Sequence, residues 1–333
     1  MVDVFIVGGG PAGLAAGIAV KRAGFHRVVV SDSQQPPIDK ACGEGMLPSA
    51  VFAAAELGID LPSIASVTIR GVRFVGDGVA VEAPFRNGHG CGIRRTTLHA
   101  ALIAHAEACG VELRWGQTVG DIGSVNARWI VGADGASSRV RQWAKLDCYS
   151  RNTWRFGFRR HFRIAPWTDH IEAYWDDGVE VYVTPVAADE VGVAVLSRDS
   201  KLRLADALAP VTLLRGAPVV SRERGSITAS RTLLRVVSGN VALIGDASGS
   251  VDAITAEGLS LSFQQAIALA DAMTRGNLAS YQRAHGGIAR KPRLMGGLML
   301  TMDRWPWVRR TALRSMAAHP RIFRELLAIH GGR

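Results

Sequence analysis

Residues 4–32 read VFIVGGGPAGLAAGIAVKRAGFHRVVVSD, and this stretch decides the fold. The apolar run Val4 to Val7 predicts a buried parallel strand. It breaks at Gly8-Gly9-Gly10-Pro11-Ala12-Gly13, where Pro11 and Ala12 carry the chain into an alanine-rich helical stretch, Leu14 to Ala23. A second apolar strand, Val28 to Val30, ends on Ser31 and Asp32. The spacing is G-x-G-x-x-G between strand and helix, with an acid 19 residues past the last glycine. Gly8 permits the tight turn, Gly10 lets a pyrophosphate approach the backbone, and Gly13 lets helix and strand pack closely. The helix N-terminus offers free N–H groups to phosphate, and Asp32 can accept hydrogen bonds from ribose hydroxyls. A dinucleotide is therefore expected.

A chain of 333 residues can bury a large core and suggests two domains or one large composite. Its 48% hydrophobic content with 37 glycines fits a globular α/β protein. The net charge of +10 can serve an anionic cofactor, a membrane surface or nucleic acid. No Lys/Arg block with interleaved aromatics occurs, so nucleic acid is not expected as a partner. The four cysteines, Cys42, Cys91, Cys109 and Cys148, form no C-x-x-C pair, and neither a metal site nor a disulfide framework is expected. The N-terminus is broken by glycines and proline and lacks a basic segment, so a leader or membrane span is a poor reading and a cytoplasmic location is expected.

Residues 66–85 alternate (Val67, Ile69, Val72, Phe74, Val79, Val81), which predicts antiparallel strands. Residues 154–197 read the same way. Helices are expected over Pro48 to Leu57, Arg95 to Cys109, Lys201 to Leu214 and Leu259 to Met273, with strands Glu112 to Trp115, Ala127 to Val131, Ser226 to Ala229 and Val241 to Ile244. The β-rich blocks interrupt the α/β sequence. The expected fold is thus α/β, with one domain built from residues 1–65, 95–150 and 235–290, a second inserted in two pieces, 66–94 and 151–234, and a helical, basic tail over 291–333.

Two further signatures narrow the cofactor. Trp129-Ile130-Val131-Gly132-Ala133-Asp134-Gly135 ends a strand on an Asp-Gly turn, and Val241-Ala242-Leu243-Ile244-Gly245-Asp246 ends another on Gly-Asp. The second acid can take a ribityl hydroxyl while the following helix N-terminus faces phosphate or the flavin edge. Together with Arg95 in Gly92-Ile93-Arg94-Arg95-Thr96-Thr97-Leu98, these resemble the glutathione-reductase-type flavoproteins of the p-hydroxybenzoate hydroxylase fold over residues 3–275. The resemblance implies a Rossmann FAD domain with an inserted antiparallel substrate domain. It assigns FAD contacts to Gly8, Gly10, Pro11, Ala12, Gly13, Asp32, Cys42, Gly43, Arg95, Asp134, Gly245, Asp246, Gly258 and Leu259. Asp32-Ser33 departs from the usual Glu-Arg.

Cys42-Gly43-Glu44-Gly45 and Gly249 to Leu259 (GSVDAITAEGL) look like segments of geranylgeranyl reductases, although Ile254 replaces a proline and Ala256 a glycine. The halogenase W-x-W-x-I-P motif is absent, and the equivalent segment reads Val181-Tyr182-Val183-Thr184-Pro185. The resemblance therefore implies an FAD-dependent oxidoreductase acting on a hydrophobic, polyketide- or isoprenoid-like molecule, with alkene reduction favoured. An O2-dependent hydroxylase and a non-catalytic flavin-binding protein are the alternatives. No second G-x-G-x-x-G stands in the right context, so NAD(P)H or an external reductant is expected to act transiently. Cys42 and Glu44 are candidate catalytic groups. Glu257 is expected to cap a helix. Trp175, Tyr182 and Pro185 are candidates for a substrate pocket, with ordinary sheet packing the alternative for the aromatics. His161 and His170 have no partner at ligand spacing. The tail sets Met295, Leu298, Met299, Met302, Trp305 and Trp307 among arginines, so core cover and peripheral membrane contact compete for it.

Overall fold

The computed structural model describes residues 1–331. At its centre Val2–Val7 pairs in parallel with Val28–Asp32 on one side and with Ala127–Gly132 on the other. Val241–Leu243 and Glu112–Trp115 extend these pairs in the same direction, and only the edge pair Val237–Ser238 runs antiparallel. Helices cover the sheet, which is why its strands are apolar on both faces. Val4, Ile6, Leu14, Ile18, Val30, Val131 and Leu243 are sealed in one core with Leu98 and Phe263. Because the central strands are parallel, the loops after Val7, Asp32, Gly132 and Leu243 all leave from one edge. That edge is where α/β folds bind ligands.

The helices form where expected: Pro11–Arg22, Pro48–Glu56, Arg95–Ala108 and Gly258–Thr274. The segment Lys201 to Leu214 does not. Only two short turns, Leu204–Ala207 and Thr212–Leu214, form there, with Pro210 between them. Proline removes a donor and clashes with the preceding turn, so one continuous helix cannot run through.

The second sheet has eight strands and contains Tyr149–Arg163, His170–Asp176, Val179–Ala187, Glu190–Ser197 and Arg224–Leu233 together with Gly71–Gly76 and Val79–Pro84. Its pairing is antiparallel with one exception, the parallel pair of His170–Asp176 with Gly71–Gly76. The short strand Gly249–Ser250 joins its edge, so the loop after the Gly-Asp turn is sewn to the second sheet. A small third sheet, Gly45–Met46, Gly90–Gly92 and Val67–Ile69, adds a further junction.

The tail forms Leu278–Ile288, Arg290–Arg304, Pro306–Ala318 and Pro320–Gly331, and residues 332–333 of the expected tail region lie outside the described residues. Pro306 and Pro320 open their helices at the position where a missing N–H is harmless. Leu313, Met316, Phe323 and Leu327 bury Val72, Val81 and Ala83 of the second sheet. No described helix is long and apolar enough to cross a membrane.

Candidate cofactor and active site

The glycines of the first turn have separable reasons. A Cβ on Gly8 would lie 2.3 Å from the Ala133 oxygen, and one on Gly13 would lie 1.8 Å from the Gly8 oxygen. Gly8 also has φ +113°, which a side chain rarely tolerates. A Cβ on Gly10 would meet nothing within 4 Å. Gly10 therefore borders open space, and it N-caps the helix Pro11–Arg22 without any side-chain cap. The helix N–H groups remain available to an anion.

Asp32 does more than wait for a ribose. Its Oδ2 accepts the Gly9 N–H at 2.7 Å and its Oδ1 the Gln34 N–H at 2.8 Å. The second strand thereby fixes the glycine turn. Two residues outside the motif complete the frame. The Ile38 N–H donates to Nδ1 of the buried His99 at 3.3 Å, so Nε2 carries the hydrogen and donates to the Gly9 carbonyl at 2.8 Å. Burial holds His99 below its ordinary value, which keeps this neutral form. Trp115 walls the other side, since a Cβ on Gly9 would touch its ring at 2.2 Å.

The two acids that the motifs pair up are placed differently. Asp134 is taken up by its own turn. Its Oδ1 accepts the Ser138 hydroxyl at 2.5 Å, and its Oδ2 accepts the N–H groups of Arg139 at 2.7 Å and Val140 at 3.2 Å. Asp246 is exposed, one residue beyond Gly245, whose φ of +60° makes the turn. Beneath it the buried Ser248 hydroxyl donates to the Gly245 carbonyl at 2.8 Å, and Nε2 of His285 donates to the Ser248 oxygen at 2.9 Å.

The Cys42 loop carries a buried ionic cluster that spacing alone did not suggest. Glu44 is buried and left-handed at φ +58°, a conformation that costs a non-glycine residue about 1–2 kcal/mol. Its Oε1 accepts the Arg95 N–H at 2.8 Å and its Oε2 faces Nε2 of His161 at 2.5 Å. Guanidinium groups of Arg94 and Arg159 approach Nδ1 of His161 at 3.1 and 3.2 Å. Guanidinium only donates, so Nδ1 must accept and the hydrogen sits on Nε2, directed at Glu44. The Ser221 Oγ lies 2.8 Å from Nδ1 as well. Asp39 ties Arg159 and Arg224 together. These groups line a polar cavity of about 160 Å³. Cys42 is half-buried beside it, and its Sγ accepts the Glu44 N–H at 3.4 Å. Burial pushes the thiol up, so Cys42 keeps its proton at neutral pH.

Behind the loop that follows Asp246, the buried Arg155 meets three separate parts of the chain. It forms a bidentate pair with Glu180 and lies 3.7 Å from Asp252 and 3.4 Å from Asp303. The Ser230 hydroxyl donates to Asp252 at 2.8 Å. Trp175 and Tyr182 lie in a packed interior with Leu47, Ile254 and Met299. Trp175 meets Phe74 edge-on at 5.5 Å, and the Tyr182 hydroxyl donates to the Ile254 carbonyl at 3.0 Å. Pro185 is buried against Gly92, where a Cβ would strike its oxygen at 1.7 Å. Glu257 occupies the N-cap position of Gly258–Thr274, but its carboxylate makes no capping bond, contrary to expectation. It is buried, which pushes it up to about 8. Ala256, standing where the reductase pattern has glycine, is left-handed at φ +54°.

Gly10, Gly43 and Gly258 each border open space, and the helices Pro11–Arg22 and Gly258–Thr274 both begin without a side-chain cap. The Nε of Arg95 is buried without a partner. Open backbone, two uncapped helix starts and an unsatisfied guanidinium fit a flavin dinucleotide. The chain matches the FAD binding domain family over residues 1–122 and 86–213. It belongs to that family. Among its relatives, the menaquinone reductase of Mycobacterium tuberculosis is 30% identical over 299 residues, covering 77% of this chain and 72% of the relative. The chloroplastic geranylgeranyl diphosphate reductase of Oryza sativa is 24% identical over 331 residues, covering 82% and 66%. A flavoprotein/dehydrogenase structure from Cytophaga hutchinsonii superposes with a TM-score of 0.82 at 17% identity, over 99% of this chain and 92% of that one. This member of the FAD binding domain family is an FAD-dependent oxidoreductase, with the Rossmann core, second sheet and helical tail of its structural relatives.

Proposed function

We propose that this enzyme reduces a carbon–carbon double bond in a hydrophobic, isoprenoid-like substrate, with FAD reduced in turn by NAD(P)H or another external donor. The observation that carries this reading is the Cys42 loop. A half-buried thiol that keeps its proton sits beside the sealed Glu44–His161 pair. Alkene reduction needs a hydride at one carbon and a proton at the other. Bound FAD supplies the hydride from its reduced ring. Cys42 holds the proton at Sγ, where the Glu44 N–H accommodates the negative charge left behind. Glu44 and His161 fix the loop. The reductase names of the relatives support the same reading, as does the soft apolar seam of Met295, Met299, Leu300 and Met302 behind the loop that follows Asp246, which can repack around an apolar chain.

In this proposal the cofactor lies along Gly8 to Gly13, Asp32, Arg95, Gly245, Asp246, Gly258 and Leu259, with Cys42 and Gly43 at its reactive end. Asp134 acts through the turn it shapes.

The test is anaerobic turnover of dithionite-reduced holoenzyme, freed of excess dithionite, with geranylgeranyl diphosphate. A product two mass units heavier, lost in Cys42→Ala, supports the proposal. Product that forms only with oxygen, sixteen units heavier, replaces it with hydroxylation. Stopped-flow mixing with NADH and NADPH identifies the donor.

A further inference from the structure

Six of the twelve exposed large apolar side chains among the described residues fall between positions 294 and 329, and the rest are scattered. Four of the six fall within residues 294–307. Leu294 and Leu298 follow each other on the outer face of Arg290–Arg304, and Trp305 and Trp307 stand at the corner where the next helix begins. Their exposures are 64%, 48%, 47% and 67%. A monomer rarely leaves two tryptophans and two leucines together in water without use.

The charge of this segment is mostly basic, although Asp77 and Asp177 of the second sheet pair with Arg309 and Arg310. Residues 290–329 hold nine basic side chains against two acids. Of the acids, Asp303 is buried with Arg155, and Glu325 pairs with Arg86. Arg290, Lys291 and Arg304 are exposed near these side chains, and the Arg304 guanidinium lies 5.4 Å over the Trp305 ring. Tryptophan with a cationic rim suits the boundary between lipid headgroups and acyl chains.

Position ties these side chains to the site. On the opposite face of Arg290–Arg304, a Cβ at Gly296 would touch Thr255 and Val251 at 3.2 and 3.3 Å. One helix, about 10 Å thick, therefore separates these side chains from the loop that follows Asp246.

We propose that the Leu294–Leu298–Trp305–Trp307 face docks the enzyme on an anionic lipid surface, seating the active-site loop next to the phase in which an apolar substrate dissolves. The docking does not depend on which reaction the flavin performs.

The experiment uses FAD-loaded protein with phosphatidylcholine vesicles containing 25% phosphatidylglycerol, and with pure phosphatidylcholine, in a flotation assay. Recovery with the anionic vesicles, a blue shift of tryptophan emission, and at least tenfold weaker binding at high salt are expected. Trp305→Ser with Trp307→Ser should cut the partition at least tenfold while flavin absorbance and melting temperature stay unchanged. No recovery on anionic vesicles, equal recovery of the double variant, or a protein that sediments as a dimer through this face and ignores vesicles would each overturn the proposal. Anaerobic turnover is read separately, so the failure of one proposal leaves the other standing.

Discussion

Nε2 of His161 lies 2.5 Å from Oε2 of Glu44, and neither side chain is more than 3% exposed. One belongs to the loop that follows the second parallel strand, and the other to the long strand of the second sheet. This contact joins the two halves of the molecule through buried polar groups. Breaking one hydrogen bond to a buried charged group costs about 1.5–3 kcal/mol. His161→Ala should therefore lower the unfolding free energy of the holoenzyme by that amount. Glu44→Gln, which can still accept the Arg95 N–H, should lower it less. A double-mutant cycle in urea should give a coupling of about 1–2 kcal/mol. Additivity of the two changes would show that the pair does not act as a unit.

Gly10 and Gly13 should separate binding from folding. Gly10 has φ −71° and space beside it, so Gly10→Ala should leave apoprotein stability within about 0.5 kcal/mol while weakening FAD by tenfold or more. Gly13→Ala drives a methyl into the Gly8 carbonyl and should destabilise the apoprotein by more than about 2 kcal/mol. Flavin absorbance after desalting and apoprotein melting curves report the two effects. Equal loss of stability in both variants would contradict the assignment of Gly10 to the cofactor.

The same separation applies to the two motif acids. Asp134→Ala removes three hydrogen bonds around a helix start and should cost about 1–2 kcal/mol of stability. Asp246→Ala should leave the melting temperature of the apoprotein unchanged and lower FAD affinity at least fivefold. Fluorescence titration of apoprotein with FAD distinguishes them.

His285 gives the fold a pH dependence of definite sign. Burial, with a lesser contribution from Arg293, brings it down to about 4. An unfolded chain takes up the proton near its ordinary value of about 6.5. Between those values only the unfolded form is protonated. The stability present above about pH 6.5 is therefore lost as the pH falls toward 4, by about 3 kcal/mol in all. His285→Gln, which retains a donor for Ser248, should flatten that part of the stability curve. An unchanged slope from pH 7 to 4.5 would remove His285 as its source.

The cofactor half of the molecule was open to reading because its constraints are local. Gly8, Gly10 and Gly13 follow from a turn, an open approach to the backbone and a packing distance within one strand–helix unit. Val4 to Val7 and Val241 to Ile244 are apolar because both faces of a parallel sheet are covered. The partners of Glu44 were not open to the same reading, since His161 stands 117 residues away. Parity along the strand held the one available signal. Arg155, Arg159 and His161 alternate with Phe156, Phe158 and Arg160, and the first set proves to be the more deeply buried one. Periodicity normally places only the apolar set inside, but this strand is covered on both faces. Phe158 and Phe162 pack in a core of their own, and pairing across the chain allows the polar set to be buried as well. Tyr182 and Trp175 fit the sheet as expected, yet they fill its interior against the loop and tail. The helix expected over Lys201 to Leu214 failed at Pro210.

Arg155 has a consequence for how the chain is made. Its carboxylate partners Glu180, Asp252 and Asp303 come from the second sheet, the loop after the Gly-Asp turn and a tail helix. A ribosome-bound chain that has emerged only as far as residue 250 holds this guanidinium with one of the three. Closure of the interior waits for Asp303, so the buried hub cannot be complete before residue 303 has been made. A chain cut short of that residue leaves the buried guanidinium without one of its three carboxylates.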